Sequence, residues 1–234
     1  MVVFMRLDKF LANLKYGSRN DIKIMCKKDL VKVNDKLASK SDLNIDPTKD
    51  LVYVNEELVY YKESVTLMMN KPSGYICSNV DEAYPSLLNI LDSKYRRFDF
   101  SFAGRLDVDT EGLIILSTDG NVIHRITSPK QDVSKTYYVK TLKEISNEAR
   151  LEAPMKLLDG KDEYYITNGA KVVKIGNFEL LLTINEGKFH QVKRMLEAID
   201  NKVVYLKRVK IGNLELSDDL EIGMYEEIDP NIIF

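Results

Sequence analysis

The order of strand-like and helix-like segments in residues 66–228 is the feature that most constrains the fold. Runs of β-branched and aromatic residues recur there, and helical spacing of apolar residues is confined to a few short stretches. The segments lack the regular strand–helix alternation of a doubly wound parallel sheet. The pattern therefore predicts an α+β fold with a mostly antiparallel, mixed central sheet flanked by helices. The predicted strands are TLMMN (66–70), YICSN (75–79), FDFSFA (98–103), GLIILS (112–117), KTYYVKT (135–141), AKVVKI (170–175), FELLLTI (178–184), VVYLKRVKI (203–211) and MYEEI (224–228).

Three stretches of the same region have the spacing of helices. SLLNIL (86–91) and NVIHRIT (121–127) are short, and an Asp-Gly pair that is typical of a tight turn precedes the second. Residues 188–199 form the longest predicted helix, because four apolar residues fall at i, i+3, i+4 and i+7 there. These four are Val192, Met195, Leu196 and Ile199.

The first 55 residues have a different pattern. An apolar helical stripe covers residues 7–14, and Gly17 ends it. Ser18 and Asp21 have the spacing of a capping box that begins a second helix, with Ile22, Met25 and Cys26 on its buried face. VKVNDK then reads as a strand that enters a tight turn, and LVYVN (51–55) reads as a second strand.

Charge separates this segment from the rest of the chain. Residues 1–45 carry ten Lys/Arg against five Asp/Glu, whereas the remainder carries 24 against 31. Arg19, Lys23 and Lys27 lie four residues apart and line one helical face, which fits either a solvated face or a surface that binds a polyanion. The stretch RLDKFLANLKYGSRNDIKIMCKKDLVKVNDK resembles the S4 RNA-binding domain. That resemblance implies contacts to RNA phosphates by Arg6, Lys9, Arg19, Lys23 and Lys27.

Composition and motif spacing disfavour a membrane protein, a disulfide-rich protein, a metal site and a nucleotide-binding loop. No apolar run approaches the ~20 residues that span a membrane, so we expect a cytoplasmic chain without membrane contact. Cys26 and Cys77 lie far apart and read as buried thiols. His124 and His190 have no metal-ligand spacing, which disfavours a metal site. Phosphate-binding motifs with G-x-x-x-x-G-K-[ST] or G-x-G-x-x-G are absent, as is G-x-S-x-G.

The stretch GRLDVDTEGL (104–113) carries the candidate chemistry. Its two aspartates resemble the D-x-D-x-T of a Mg²⁺-dependent phosphatase, but Thr110 comes one position early. A glycosidase would also use two carboxylates, yet the chain has no tryptophan for a sugar platform. Alternatively, one ionised Asp attacks C1′ or C6 of a nucleoside in RNA. That chemistry needs a neighbouring cation, which Lys193 or Arg194 could supply, and a stacking ring, for which Tyr137 and Tyr138 are candidates.

Four segments together resemble the pseudouridine synthases of the RsuA group. They are GRLDVDTEGLIILSTDG, HRITSPK, KTYYV and EGKFHQVKRML. Within the last segment, HQVKRM resembles most the branch of that group that modifies small-subunit (16S) ribosomal RNA. The resemblance implies that Asp107 is the catalytic aspartate and that Arg105 helps to open the RNA. It also implies that Tyr137 stacks on the base, that Lys193 pairs with the aspartate, and that Ile184 walls the uracil pocket.

Several other residues near these motifs can be interpreted without a catalytic role. Asp109 and Thr110 are expected to hold the loop, and His190 to be a polar residue at a helix start. Lys71, which precedes Pro72, fits either the RNA path or a surface turn.

The expected organisation is an S4 domain at residues 5–60, a short linker, and a catalytic domain at residues 65–234. The expected activity is isomerisation of a uridine in ribosomal RNA to pseudouridine, without a metal or cofactor. The partner would be ribosomal RNA or a small-subunit ribosomal particle, and the chain would act as a monomer. The alternatives are a non-catalytic RNA-binding factor of ribosome assembly and the Mg²⁺-dependent phosphatase.

Overall fold

The fold has two compact units. A computed structural model describes residues 4–160 and 163–234. Unit 1 comprises the described residues up to Val65 together with Leu91–Asp99, and unit 2 comprises Thr66–Ile90 and Phe100–Phe234. Within the described ranges, every helix is too short or too polar to cross a membrane.

Unit 1 packs two short helices against a small antiparallel sheet. The sheet has the order β3-β2-β5-β6, and β1 pairs separately with β4. Its core comes from the helix faces and the strands, including Leu7, Phe10, Ile22 and Cys26. The elements are β1 (Met5–Arg6), α1 (Leu7–Asn13), α2 (Arg19–Lys27), β2 (Val31–Val33), β3 (Lys36–Leu37), β4 (Asn44–Ile45), β5 (Val52–Val54), β6 (Glu57–Leu58) and α3 (Ser93–Arg96).

Local sequence signals account for the ends of these elements. Ser18 and Asp21 form the predicted capping box, in which the Ser18 amide donates to the Asp21 carboxylate at 2.8 Å and the Asp21 amide donates to Ser18 Oγ at 3.2 Å. The turn between β2 and β3 places Asn34 and Asp35 at φ of 50° and 65°. Two consecutive positive φ values are typical of a tight hairpin turn, so the predicted turn in VKVNDK is confirmed.

Unit 2 is built on a nine-stranded mixed sheet. The main path is β13-β14-β10-β15-β9-β7-β17, with β16 on β15 and β8 on β9. All pairs are antiparallel except β15 with β9, so the predicted mostly antiparallel α+β fold is confirmed. The strands are β7 (Thr66–Lys71), β8 (Ser101–Phe102), β9 (Glu111–Ser117), β10 (Lys135–Thr141), β11 (Lys156–Leu158), β12 (Tyr164–Ile166), β13 (Lys171–Gly176), β14 (Glu179–Ile184), β15 (Val203–Ile211), β16 (Leu214–Glu215) and β17 (Tyr225–Glu227); the helices are α4 (Gly120–Thr127), α5 (Glu148–Glu152) and α6 (Gln191–Glu197).

Five local predictions differ from the structure. YICSN is not a strand, because only Ile76 makes a single bridge, to Ser86. FDFSFA narrows to the two residues of β8, and SLLNIL is a 3₁₀ turn. Asp119 does not start a hairpin turn; its side chain accepts from the Asn121 amide at 2.8 Å and caps α4. The helix predicted at 188–199 begins only at Gln191, since His190 has a φ of 51°.

Candidate active site

Backbone and side-chain contacts fix the loop of residues 104–110, which leads directly into β9. The Thr110 amide donates to the Asp107 carbonyl at 3.1 Å, and the Gly74 amide donates to the Val108 carbonyl at 2.8 Å. The Leu106 amide lies 3.5 Å from the Sγ of buried Cys77. These contacts hold the loop at one end of the sheet and turn Asp107 toward the cavity described below.

Lys71 supports the same loop from inside the unit. Its side chain is fully buried, and its ammonium donates to the carbonyls of Pro72 at 3.0 Å and Thr110 at 2.9 Å. Burial lowers the pKa of Lys71 below its usual value. A surface turn or a place on the RNA path is therefore the wrong interpretation of this lysine, which joins the end of β7 to the loop.

Asp107 and Lys193 form an ion pair at the centre of the candidate site. Lys193 Nζ lies 2.9 Å from Asp107 Oδ2, and the two side chains are 21% and 27% exposed. The same ammonium donates to both carboxylate oxygens of Asp109, at 2.7 and 3.0 Å. His190 Nε2 lies 3.3 Å from the other Asp107 oxygen. One lysine therefore serves two carboxylates, and Asp107 has a nitrogen beside each of its oxygens.

The electrostatic balance of this cluster favours charged groups. Burial alone would lower the pKa of Lys193, but its hydrogen bonds to Asp109 and Asp107 outweigh burial and raise it. Burial would likewise raise the pKa of Asp109, and the hydrogen bond from Lys193 reverses that shift and lowers it. The lysine is therefore a permanent cation at neutral pH. The neighbouring Arg194 points elsewhere, because its guanidinium donates to the Leu158 carbonyl.

Strand register decides which tyrosine faces the site. Tyr137 is 8% exposed and lines the cavity, whereas Tyr138 points to the other side of the sheet and packs edge-on against Tyr205 with ring centroids 6.0 Å apart. On the adjacent strand β14, Ile184 is paired with Lys135 and lines the same cavity. Tyr137 and Ile184 thus form an aromatic and an aliphatic part of one wall.

A cavity of about 410 Å³ brings the predicted residues of unit 2 together. Its size lies in the range of pockets that hold small organic ligands. Arg105 is exposed at its wall. The cavity is lined by all five residues that the family resemblance predicted: Arg105, Asp107, Tyr137, Ile184 and Lys193.

The five predicted RNA contacts belong to unit 1. Arg6, Lys9, Arg19, Lys23 and Lys27 are all exposed. Arg6 already has a carboxylate partner: its guanidinium donates to both oxygens of Asp8, at 3.1 and 2.6 Å. That hydrogen bond is the largest cause that lowers the pKa of Asp8.

Three cavity residues were missed from sequence. His190 was expected only to start a helix, and it faces Asp107 from a left-handed backbone position. Lys135 and Arg208 lie in the predicted strands KTYYVKT and VVYLKRVKI without a motif that marks them, and both line the cavity. Lys135 precedes Tyr137 by two positions, so strand alternation could have placed both on one face.

The described residues contain no group of three His, Cys, Asp or Glu that could hold a metal ion.

Comparison with known proteins assigns the family. A model of the RNA pseudouridylate synthase family matches residues 65–198, and one of the S4 domain matches residues 5–51. The chain is 41% identical over 226 residues to YtzG of Bacillus subtilis, an uncharacterized RNA pseudouridine synthase, with 96% of this chain and 95% of that protein covered. Ribosomal small subunit pseudouridine synthase A of Haemophilus influenzae is 38% identical, with 96% of each chain covered.

A solved structure gives the same result. A crystal structure of a pseudouridylate synthase superimposes with a TM-score of 0.67 at 38% identity, over 98% of both chains. The chain therefore belongs to the RNA pseudouridylate synthase family, as the four motif segments predicted, and it is an RNA pseudouridine synthase, an isomerase.

Proposed function

We propose that this enzyme isomerises a uridine of ribosomal RNA to pseudouridine, with Asp107 as the nucleophile. The observation that carries the proposal is the 2.9 Å ion pair between Asp107 and Lys193 at the wall of the cavity. The ammonium orients the carboxylate and is the positive partner of its charge, and a carboxylate attacks as the anion. At about 4 Å and an effective dielectric near 20, such a pair is worth about 4 kcal/mol before desolvation.

The chemistry follows from one carboxylate oxygen. The target nucleotide flips into the cavity, and an Asp107 oxygen bonds to C1′ of the ribose or to C6 of the uracil ring. The C1′–N1 bond breaks, the detached ring turns, and C5 bonds to C1′. If Asp107 is bonded to C1′, that bond breaks as C5 attacks; if it is bonded to C6, that bond breaks as the C5 proton leaves. In both routes the C5 proton passes to water, N1 gains a proton from water, and the carboxylate is restored. Enclosure by Tyr137 and Ile184 keeps water from the detached base.

The neighbouring residues have distinct proposed roles. Tyr137 stacks on the flipped base, because its ring forms part of the cavity wall. Ile184 supplies an apolar contact to the uracil ring. Arg105 is exposed at the cavity and helps to open the RNA around the target. Lys193 holds Asp107 in place through their ion pair.

We assign the substrate to small-subunit (16S) ribosomal RNA. Relatives that are 34–39% identical carry the name ribosomal small subunit pseudouridine synthase A. The sequence HQVKRM in this chain favours the same branch. Residues 5–60 form the S4 domain, which binds phosphates through its exposed basic face, and residues 65–234 form the catalytic domain. The partner is then ribosomal RNA or a small-subunit particle.

Replacement of Asp107 tests the nucleophile. In RNA labelled with tritium at C5 of uridine, the wild type releases tritium and Asp107→Asn releases none while it still binds the RNA. Asp109→Asn is the matched control, since it removes a carboxylate from the same lysine and retains measurable release. If the wild type releases no tritium from any ribosomal RNA precursor, the chain is a non-catalytic assembly factor and the proposal fails.

Mapping of pseudouridines tests the substrate. Ribosomal RNA from cells with and without the gene is compared position by position. Loss of one pseudouridine in 16S RNA is expected, whereas loss only in the large-subunit RNA would contradict the assignment. Full activity in excess EDTA is also expected, because no step above uses a divalent cation.

A further inference from the structure

Arg208 is a buried cation that the roles above do not use. Its side chain lies in β15, is 2% exposed, and lines the cavity that contains Asp107. Nε donates to the Leu113 carbonyl at 2.7 Å. Nη2 is buried and has no hydrogen-bond partner in the described part of the chain. An unsatisfied guanidinium nitrogen is costly to bury, so its presence in a cavity wall points to a ligand.

Lys135 is a second cation beside it. Its ammonium donates to the Val133 carbonyl at 2.7 Å and also lines the cavity. Burial, and then the charge of Arg208, lower the pKa of Lys135 to about 8. Among residues 4–160 and 163–234, no carboxylate lies within ion-pair distance of either cation. Asp132 is the acidic neighbour that favours the charged lysine, and it is exposed.

Strand pairing places these two cations next to the proposed base-stacking ring. Tyr137 of β10 is directly opposite Arg208 of β15. Lys135 lies two residues before Tyr137, so both side chains point to the same face of the sheet. Ile184 is opposite Lys135 on the other side of β10. A nucleotide whose base contacts Tyr137 and Ile184 therefore has two positive groups along the same wall.

The positive charges of Lys135 and Arg208 determine which group of a nucleotide they bind best. A neutral uracil carbonyl could accept one hydrogen bond from Arg208, but it would leave two neighbouring cations with only the exposed Asp132 as a counter-charge. A phosphate offers several acceptor oxygens and a full negative charge, and the planar guanidinium fork fits it well. We propose that Lys135 and Arg208 bind a backbone phosphate of the flipped target nucleotide. This proposal rests on the proposed function, because it takes RNA as the occupant of the cavity.

Small nucleotides test the proposal without catalysis. Binding of uridine, uridine 5′-monophosphate and uridine 3′-monophosphate to the full chain is measured by NMR titration. The wild type is expected to bind one of the two monophosphates at least about tenfold more tightly than uridine, as a charge-assisted hydrogen bond implies. Which monophosphate is preferred identifies the phosphate. Equal affinity for uridine and both monophosphates would overturn the proposal.

Variants assign the effect to the two residues. Lys135→Gln and Arg208→Gln are expected to reduce monophosphate binding to the level of uridine and to leave uridine binding unchanged. Lys207→Gln is the matched control, because Lys207 lies next to Arg208 in β15, on the opposite face and outside the cavity lining. The Lys207→Gln variant should still bind the monophosphate more tightly than uridine. If Arg208→Gln fails to fold, Lys135→Gln decides alone, since its aliphatic stem can remain in place.

Two other results contradict the proposal. A folded Lys135→Gln variant that keeps the full phosphate preference would show that the pair is not the phosphate site. Equal losses for uridine and monophosphate would instead assign the pair to the uracil ring. Tritium release is measured separately on the wild type, so failure of the proposed activity is distinguishable from failure of phosphate binding.

Discussion

At the scale of single residues, the Lys193 ammonium determines the properties of the site. It contacts Asp107 at 2.9 Å and Asp109 at 2.7 Å, and hydrogen bonds to these two carboxylates outweigh the cost of its partial burial. The Nε2 of His190 lies 3.3 Å from the other oxygen of Asp107. Lys193 is therefore the main cationic partner of the proposed nucleophile.

Removal of that lysine is expected to slow catalysis. In Lys193→Met, the carboxylate that is proposed to attack loses the cation that holds it, so the rate at neutral pH should fall by about a hundredfold, the lower end of the usual effect of an electrostatic partner. Tritium release at neutral pH measures the loss. Lys193→Arg keeps the charge, and a loss as large as that of Lys193→Met would contradict the assignment.

Lys135 is expected to make the free energy of unfolding rise with pH in the alkaline range. The pKa of Lys135 is about 8 in the folded protein and 10.5 for the free side chain. Below pH 8 the lysine is protonated in both the folded and the unfolded chain, so the folded protein bears the full cost of burying its charge. Between about pH 8 and 10.5 the unfolded chain binds more protons, and the free energy of unfolding rises with pH. The upper limit of this rise is on the order of 3 kcal/mol. Urea unfolding at pH 7 and pH 10 should show it.

Lys135→Gln is the reference for that measurement. The difference in unfolding free energy between wild type and variant should change over this pH range, with the wild type gaining relative to the variant. Lys71 has a lowered pKa in the same direction and remains in both proteins, so it cancels in the comparison. A difference that does not vary with pH would show that Lys135 titrates normally.

At the scale of elements, the parallel pairing of β9 with β15 positions Arg208. Gly112 is directly opposite Arg208 in this pair and has a φ of 98°. A Cβ at position 112 would lie 2.2 Å from the Arg208 carbonyl oxygen. The two strands can therefore approach as they do only because residue 112 has no side chain.

Substitution of Gly112 should separate the two strands. Gly112→Ala is expected to destabilise the protein by about 2 kcal/mol or more, because backbone strain adds to the steric conflict. Gly120→Ala is the matched control: Gly120 begins α4, and a Cβ there would have no atom within 4 Å. That change should be neutral or slightly stabilising, since alanine favours helix. Urea denaturation of both variants tests the difference, and similar midpoints would contradict it.

Helices and strands with a strong local sequence pattern were predictable. Features that depend on contacts between residues far apart in the sequence were not. KTYYVKT and FELLLTI are rich in β-branched, aromatic and other apolar residues and form β10 and β14. YICSN also begins with two strand-forming residues, but in the described part of the chain no strand pairs with it beyond the bridge at Ile76. The motif loop was found because its residues are consecutive. The Lys135–Arg208 pair was not, because a strand register between residues 73 positions apart brings them together.

At the scale of the whole molecule, the two units divide the charge unevenly. The excess of basic residues lies in residues 1–45, and the remaining residues carry the acidic excess. The basic residues proposed to bind RNA are exposed, and Arg19, Lys23 and Lys27 follow one another along α2. Phosphate contacts by such residues release counterions from RNA, so binding should weaken steeply with added salt.

Neutralising α2 should therefore reduce the salt dependence of RNA binding. In the triple variant Arg19→Gln, Lys23→Gln, Lys27→Gln, the slope of log K against log salt should decrease in magnitude by about 2, because each lost contact to single-stranded RNA contributes about 0.7. Tritium release at saturating RNA should persist, since the proposed catalytic residues belong to unit 2. Filter binding of a 16S RNA transcript from 50 to 300 mM KCl measures the slope.

A second triple variant in the same unit controls for net charge. Lys36, Lys40 and Lys49 are exposed and lie outside the proposed surface, so their replacement by Gln removes the same three charges. If phosphates contact α2 directly, this variant keeps most of the wild-type slope, because distant charges act only through the screened field of the unit. Equal reductions in the two variants would mean that total charge, rather than the face of α2, determines how this enzyme holds RNA.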